Sequence, residues 1–405
     1  MIQIAVMGYG TVGSGVVEVL STNQASIDKR VGEEVRVKYV LDLRDFPGDP
    51  VESVLVHDFE TIVNDPEVKV VVEVMGGVEP AYTFTKRCLL AGKSVCTSNK
   101  ALVAAHGAEL LQIAKDKNLN YLFEASVGGG IPIIRPLQTC LTADEIVEIS
   151  GILNGTTNYI LTNMTYGGAS FDDALKDAQD KGYAERNPEA DVEGHDACRK
   201  IAILTSLVSG QRVDFEDIYT EGITKVTAED IKYADKLGRV IKLLAMSKKE
   251  ADGKYYAMVA PFLIDAANPL YSVNGVFNAI FVEGNMLGDS MFYGSGAGKL
   301  PTASAVVGDM ISAVRFGDEP EKIGWGSEEL EVHKASELPR KYFARFEGSR
   351  SEKKEIVEEN LGKVKWMVLE GKDEFAVLTG QMTGDAFDAA AEKIGGLRQK
   401  LAARV

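Results

Sequence analysis

An α/β fold with a doubly wound parallel sheet is the class that three features of the sequence predict. A short apolar run, Ile2 to Met7, leads straight into Gly8-Tyr9-Gly10-Thr11-Val12-Gly13 and then into a helical stretch from Ser14 to Leu20. Further strand-like runs follow at Glu34–Leu41, Val68–Val74, around Val95 and at Asn120–Phe123. Helical segments at Ala81–Ala91 and Ala101–Lys117 fall between them. Strands that alternate with helices build a parallel sheet covered on both faces. With 405 residues the chain is also too long for one core, and two or three domains are expected.

Composition narrows the function classes. Hydrophobic residues make up 45% and charged residues 26%, which excludes a wholly disordered chain. No apolar run reaches the roughly 18 residues of a membrane span. The start, Met1 to Gly8, has neither a basic segment nor a small-residue cleavage site, so a soluble cytoplasmic protein is expected. The net charge of -16 repels phosphate backbones and anionic lipid, which argues against nucleic acid or membrane as partners. Cys88, Cys96, Cys140 and Cys198 lie far apart with no CxxC pair, and read as reduced, mostly buried thiols.

Strand, GxGxxG and helix in that order form a dinucleotide fingerprint. Gly8 permits the tight turn, Gly10 lets the backbone approach a pyrophosphate, and Gly13 lets helix and strand pack closely. The N–H groups around Thr11 and Val12 at the helix start then face the diphosphate. Asp42, at the end of the second strand, would accept ribose hydroxyls and favour NAD, whereas Arg44 would cradle a 2′-phosphate and favour NADP. Both also fit a solvated loop over Asp42–Pro50, so the choice stays open. The ligand of such a sheet lies beyond the carboxyl ends of its strands. Gly76-Gly77 and Thr97-Ser98-Asn99-Lys100 fall there, with Ser98 or Asn99 placed to cap the next helix. Lys100 at a helix N-terminus is either a surface lysine or the partner of an anionic ligand.

The middle of the chain carries candidate chemistry. Glu124-Ala125-Ser126-Val127-Gly128-Gly129-Gly130-Ile131-Pro132 is a glycine-dense turn that reads as a hinge, as a carbonyl-lined cation site with Glu124 adding charge, or as both. A helix over Phe171–Lys181 ends at Gly182, and a polar loop leads into a second helix, Val192 to Val208. Ala197, Ile201, Leu204 and Val208 form the core stripe of that second helix. Asp196 and Lys200 are four apart and share a face beside the stripe. They are either a surface ion pair or a carboxylate-positioned proton donor, and His195 competes for the acid–base role.

The stretch Ala178–Lys200 resembles the signature of the homoserine dehydrogenase family, through Ala178, Gly182-Tyr183-Ala184, Asn187-Pro188, Asp191-Val192, Gly194, Asp196 and Lys200. Three further segments are similar: Gly151–Leu161 (GILNGTTNYIL), Ser98-Asn99-Lys100-Ala101-Leu102, and Gly294–Gly298 continuing into Pro301–Ala305. Ser295 stands where the family often has proline. The likeness spans about residues 1–320. It implies reversible reduction of L-aspartate 4-semialdehyde to L-homoserine with NADH or NADPH, in the aspartate-derived biosynthesis of threonine, methionine and isoleucine. Lys200 is then the general acid, Asp196 orients the substrate, and Glu185 and Asp191 engage its polar end. Lys100, Thr156 and Gly182 line the same pocket. Gly76, Ser98, Lys100 and Gly296 join the fingerprint at the cofactor, and Glu124 with the carbonyls of Val127, Gly129 and Ile131 matches a sodium site. A homodimer is implied, and His195 becomes a surface residue.

The expected division is a Rossmann-type nucleotide-binding domain over 1–130, joined by a returning helix near 301–320, then an α+β catalytic and dimerisation domain with an open sheet over 131–300. A linker over 321–339 leads to a small domain at 340–405. Its β-α-β-β-α order, with Leu397–Val405 as a last strand or more helix, is similar to an ACT domain. The acidic-x-Pro-Gly turn of that module is replaced by Glu347-Gly348-Ser349-Arg350-Ser351, which leaves amino-acid feedback and a structural or dimerising role both open. Competing readings are an oxidoreductase for another semialdehyde or a sugar, and a nucleotide sensor without catalysis.

Overall fold

The computed structural model describes residues 1–317 and 319–404. Contacts divide the chain into two units. The first comprises 1–145, 202–215 and 294–330, and the second 146–201, 216–293 and the chain from Glu331 onward.

The first unit opens with β1 (Ile2–Met7), α1 (Thr11–Thr22), α2 (Gln24–Val31), β2 (Val35–Leu41), β3 (Leu55–Val56) and α3 (Phe59–Val63). β4 (Val68–Glu73), α4 (Ala81–Leu90), β5 (Ser94–Thr97), α5 (Lys100–Asp116), β6 (Tyr121–Leu122) and α6 (Ala125–Gly128) follow. The six strands are parallel, in the order β3-β2-β1-β4-β5-β6. Succession therefore reverses between β1 and β4, the place where such sheets open a ligand crevice. Residues Lys299–Arg315 form the returning helix, and a Cβ on Gly15 of α1 would lie 2.8 Å from the Lys299 carbonyl. That close crossing explains a glycine in the interior of α1. Helix α2 has no counterpart in the sequence reading, because Ile27 is its buried residue amid polar ones and an apolar period needs several.

The second unit carries β7 (Ile146–Ile152), α7 (Gly155–Gly167), α8 (Phe171–Asp180), α9 (Glu189–Val192) and the start of α10 (His195–Ser209). β8 (Tyr219–Thr220), α11 (Ala228–Lys236), β9 (Arg239–Lys249), β10 (Tyr255–Asp265), β11 (Phe277–Gly284) and β12 (Gly288–Ser295) come next. After the first unit's α12 (Lys299–Arg315) come β13 (Val332–His333), β14 (Lys341–Glu347), α13 (Arg350–Leu361), β15 (Lys365–Val368), β16 (Glu374–Leu378), α14 (Gly384–Ile394) and β17 (Leu397–Arg404). One mixed sheet runs β12-β11-β7-β9-β10-β17-β14-β16-β15, with β8 and β13 also on β10.

Three expectations are corrected here. The helix expected from Val192 is two helices, because Gly194 takes a left-handed φ of 83° and α10 starts at His195. The expected linker is not featureless: Val332 and His333 pair with Tyr255 and Tyr256 of β10. The contact boundaries also differ from the expected ones at 130 and 340, since the first falls at Glu145 and the C-terminal segment clusters with the second unit. The physical reason for the latter is β17, which pairs parallel with β10 (Phe262 with Ala402) and antiparallel with β14 (Phe343 with Leu401). Leu397 to Arg404 is thus strand rather than helix; Val405 lies outside the described residues.

Candidate active site

In the second unit, Asn154 gathers the acidic side chains. Its Oδ1 accepts the Thr157 N–H at 2.9 Å, which caps α7 and satisfies a donor that the helix start leaves open. Its Nδ2 donates to Asp191 Oδ1 at 2.7 Å and to Asp196 Oδ2 at 3.0 Å. Asp196 and Lys200 lie one turn apart on α10, with Nζ 2.8 Å from Oδ2, and Lys200 also donates to the Leu153 carbonyl at 2.7 Å. Their side chains are only 7% and 9% exposed. The surface-pair reading therefore fails: a desolvated ammonium is pinned between a carboxylate and the end of β7. His195 is exposed, as a helix-surface residue should be.

Thr156 donates its hydroxyl to the Tyr183 carbonyl at 2.6 Å, which ties the head of α7 to the loop after α8. Gly182 ends α8 at a φ of 74°, and the Ala178 carbonyl accepts both Tyr183 N and Ala184 N. Glu185 stands apart. Its carboxylate is exposed and makes no hydrogen bond or ion pair among the described residues. The structure thus brings together Asp191, Asp196 and Lys200. The sequence reading missed Asn154 as the residue that joins them, although its place just before a helix was a capping signal.

In the first unit, the fingerprint folds as its glycines require. Gly8 has a φ of 98°, and a Cβ on Gly13 would lie 1.9 Å from the Gly8 carbonyl oxygen. A Cβ on Gly10 would meet nothing within 4 Å. Packing inside the protein does not demand that glycine, and the open space beside it would let the turn's backbone approach a pyrophosphate. Helix α1 has no acidic residue in its first turn and no side-chain cap, so its positive end is left for an anion. Asn99, not Ser98, caps α5, with Oδ1 accepting Leu102 N at 3.1 Å and Lys100 at the first helical position.

Asp42 and Arg44 form an ion pair. Asp42 Oδ1 accepts Arg44 N and Nε, both at 3.0 Å, while Oδ2 accepts Tyr9 N at 2.8 Å and Arg44 Nη2 at 3.0 Å. All of the roughly four acceptor positions of the carboxylate are occupied. The guanidinium hydrogen bonds hold the Asp42 carboxyl far below the usual carboxylate range. A ribose hydroxyl must displace one of these bonds to reach it.

At the glycine-dense turn, Glu124 Oε1 accepts Ile133 N and Ile134 N at 2.6 and 2.7 Å, and Oε2 accepts Arg135 N at 2.8 Å. Its own N–H donates to Asp309 Oδ2 at 2.8 Å, and Arg135 bridges to Asp309 Oδ1 at 2.6 Å. Burial, with Glu124 close by, pushes the Asp309 carboxyl up to about 7. A Cβ on Gly129 would lie 2.3 Å from the Gly296 carbonyl oxygen, and Gly130 N donates to Ser295 O. Close packing of these two backbones explains the glycines, and it places Gly296 against the turn. Among the described residues, no group of three or more His, Cys, Asp or Glu side chains is arranged to hold a metal.

Comparison with known proteins decides between the readings. A family model described as the homoserine dehydrogenase NAD binding domain matches residues 8–124, and one described as homoserine dehydrogenase matches 132–311. The homoserine dehydrogenase of Synechocystis is 50% identical over 319 residues, which covers 77% of this chain and 73% of that protein.

The chain belongs to the homoserine dehydrogenase family.

A crystal structure of the homoserine dehydrogenase from Thiobacillus denitrificans superposes with a TM-score of 0.91 at 34% identity, covering 100% of this chain and 98% of that one. A hyperthermophilic archaeal homoserine dehydrogenase mutant in complex with NADPH gives a TM-score of 0.66 at 30% identity, over 77% of this chain and 97% of that one. The chain is thus an NAD(P)-dependent oxidoreductase, a homoserine dehydrogenase, with a Rossmann-like parallel sheet and a second unit built on a mixed sheet.

Proposed function

We propose that this homoserine dehydrogenase interconverts L-aspartate 4-semialdehyde and L-homoserine with Lys200 as general acid and base, serving the synthesis of threonine, methionine and isoleucine from aspartate. The observation that carries the assignment is the buried Asp196–Lys200 pair, anchored to the Leu153 carbonyl and bridged by Asn154 to Asp191. When bound, the reduced nicotinamide supplies the hydride. Attack on the aldehyde carbon puts negative charge on its oxygen, and the Lys200 ammonium stabilises that charge and delivers the proton. In the reverse direction the neutral amine takes the proton back. Asp196 keeps the lysine aimed, and Asp191 with Glu185 receives the substrate ammonium. Glu185 must swing inward for that role. Homoserine oxidation with NAD and with NADP, by the parent chain and by Lys200→Ala, tests the reading; undiminished turnover in Lys200→Ala refutes it.

Four finer points belong to the same proposal. A sodium ion would sit on the carbonyls of Val127, Gly129 and Ile131, oxygen ligands of the type a hard cation takes. The Glu124 carboxylate, already holding three N–H groups, would lend charge rather than a bond. Residues 340–404 form a β-α-β-β-α-β module of the ACT type, with strands ordered β17-β14-β16-β15 around Phe346, Phe375 and Phe387. A homodimer through the open sheet fits the edge strand β12, which exposes Met291 and Tyr293; sedimentation at monomer mass would refute it. The cytoplasmic assignment is carried by the sequence reading; among the described residues, no helix is long and apolar enough to cross a membrane.

A further inference from the structure

We propose that Glu73 is a positioning residue for the nicotinamide cofactor: its buried carboxylate ties together the turns that follow β1, β4 and β5, so that the fingerprint turn and the head of α5 keep one fixed geometry. Glu73 is the last residue of β4 and is fully buried. Its Oε1 accepts the Met75 N–H at 2.8 Å, and its Oε2 accepts the Thr97 hydroxyl at 2.7 Å from the end of β5. Thr97 Oγ1 in turn accepts Asn99 N at 2.9 Å. Asn99 then donates from Nδ2 to the Gly77 carbonyl at 2.6 Å while it caps α5. On the other side, Val74 N donates to the Met7 carbonyl at 3.0 Å at the end of β1, and the segment leaves no room for a side chain on Gly8, whose Cβ would lie 3.1 Å from both Met75 Cα and the Val74 carbonyl oxygen. A continuous path therefore runs from Gly8 through one carboxylate to Lys100.

Packing alone does not call for an acid here. β4 lies between β1 and β5 and otherwise reads Val70-Val71-Val72, so an apolar side chain would spare the desolvation of a charge. What a carboxylate adds is two acceptors that point in different directions and bond strongly. The segment it holds turns sharply, since Gly76 and Gly77 take left-handed φ angles of 102° and 73°, and Asn99 holds its far end at the Gly77 carbonyl. Burial pushes the Glu73 carboxyl above its ordinary value, and the bonds from Thr97 and Met75 pull the other way. The inference rests on the family's nicotinamide cofactor and not on the role of Lys200.

The test compares Glu73→Gln and Glu73→Ala with the parent chain, reading the NADPH dissociation constant by fluorescence without substrate, then kcat, homoserine KM and the unfolding temperature. Both variants are expected to bind NADPH about tenfold more weakly or worse, the scale of a hydrogen bond to a charged group. Lower kcat should accompany that loss, with homoserine KM changed by less than about twofold. Thr97→Ser keeps the hydroxyl and should match the parent, whereas Thr97→Val should reproduce the loss. Unaltered NADPH binding and kcat beside a lowered unfolding temperature would overturn the proposal. Where the Glu73 variants do not fold, the threonine pair decides: equal NADPH binding by Thr97→Ser and Thr97→Val overturns it. A parent chain that binds NADPH but does not oxidise homoserine would instead count against the catalytic reading and leave this measurement valid.

Discussion

Each unit contains an aspartate paired with a nearby cation, and the two pairs differ in what surrounds them. Asp196 and Lys200 on α10 have side chains 7% and 9% exposed, with the ammonium also held by a backbone carbonyl. Asp42 and Arg44 follow β2, and although Asp42 is mostly covered, the Arg44 side chain is 62% exposed. Removing one member of a buried pair strands a charge where water cannot reach it, whereas an exposed pair contributes little. The buried pair suits proton transfer, because its donor is held still and desolvated. The exposed pair is open to solvent on the Arg44 side, where a ligand could reach the guanidinium. The sequence leaves each pair open between a surface contact and a functional one; burial separates them.

The largest effect expected is on turnover. Lys200→Ala should lower kcat by about 100-fold or more, the scale of general acid–base catalysis, with NADPH binding measured by fluorescence nearly unchanged. Rapid turnover in that variant would erase the distinction between the two pairs. Next comes stability: Asp196→Ala should lose about 3 kcal/mol in urea unfolding, because it leaves Lys200 buried without its carboxylate, and kcat/KM should fall with it. Asp42→Asn should cost less than about 1 kcal/mol by the same measurement. A smaller effect concerns the cofactor. Asp42→Asn frees the guanidinium and should raise the NADPH/NADH ratio of kcat/KM by about tenfold, and Arg44→Ala should lower it, the scale of one charge-assisted bond; two unchanged ratios would remove both residues from the cofactor site.

The smallest effect is in pH. Asp42 has a folded pKa below its unfolded value, so the stability it contributes is fully present above about pH 4, near the ordinary carboxyl value, and is lost as pH falls through the depressed folded value. The unfolding free energies of the parent and Asp42→Asn should therefore converge below about pH 4. A gap that stays constant into acid would show that the carboxylate adds nothing to folding.

Much of the first unit could be read directly from the sequence, because most of its strands and longer helices carry a local signature, whereas α2 does not. Apolar runs mark β1, β2 and β4, and the spacing of Gly8, Gly10 and Gly13 announces a tight turn in which the first and last admit no side chain. The stripe Ala197, Ile201, Leu204 and Val208 located α10, but the two-residue break at Glu193-Gly194 did not interrupt the apolar period and stayed hidden. The β11–β12 hairpin was not anticipated, since β12 alternates half-buried and exposed residues and ends the sheet with no core face to pattern it. Glu73 was masked by the valines around it. Asn154 advertised only its cap, while its bonds to Asp191 and Asp196 depend on residues about 40 positions away. Where function relies on such distant partners, local pattern gives no warning.

β17 has a practical consequence. Three short neighbours tile the outer edge of β10: β13 at Tyr255 and Tyr256, β8 at Met258 and Val259, and β17 at Phe262 to Ile264. Arg404 adds a clasp from β17 to Glu148 and Ser150 on β7. Trimming the protein before Leu397 would thus do more than shorten a tail. It would strip the backing from the most apolar stretch of a central strand and leave β14 unzipped beside it, presenting two bare ribbons that are apt to stick to other molecules.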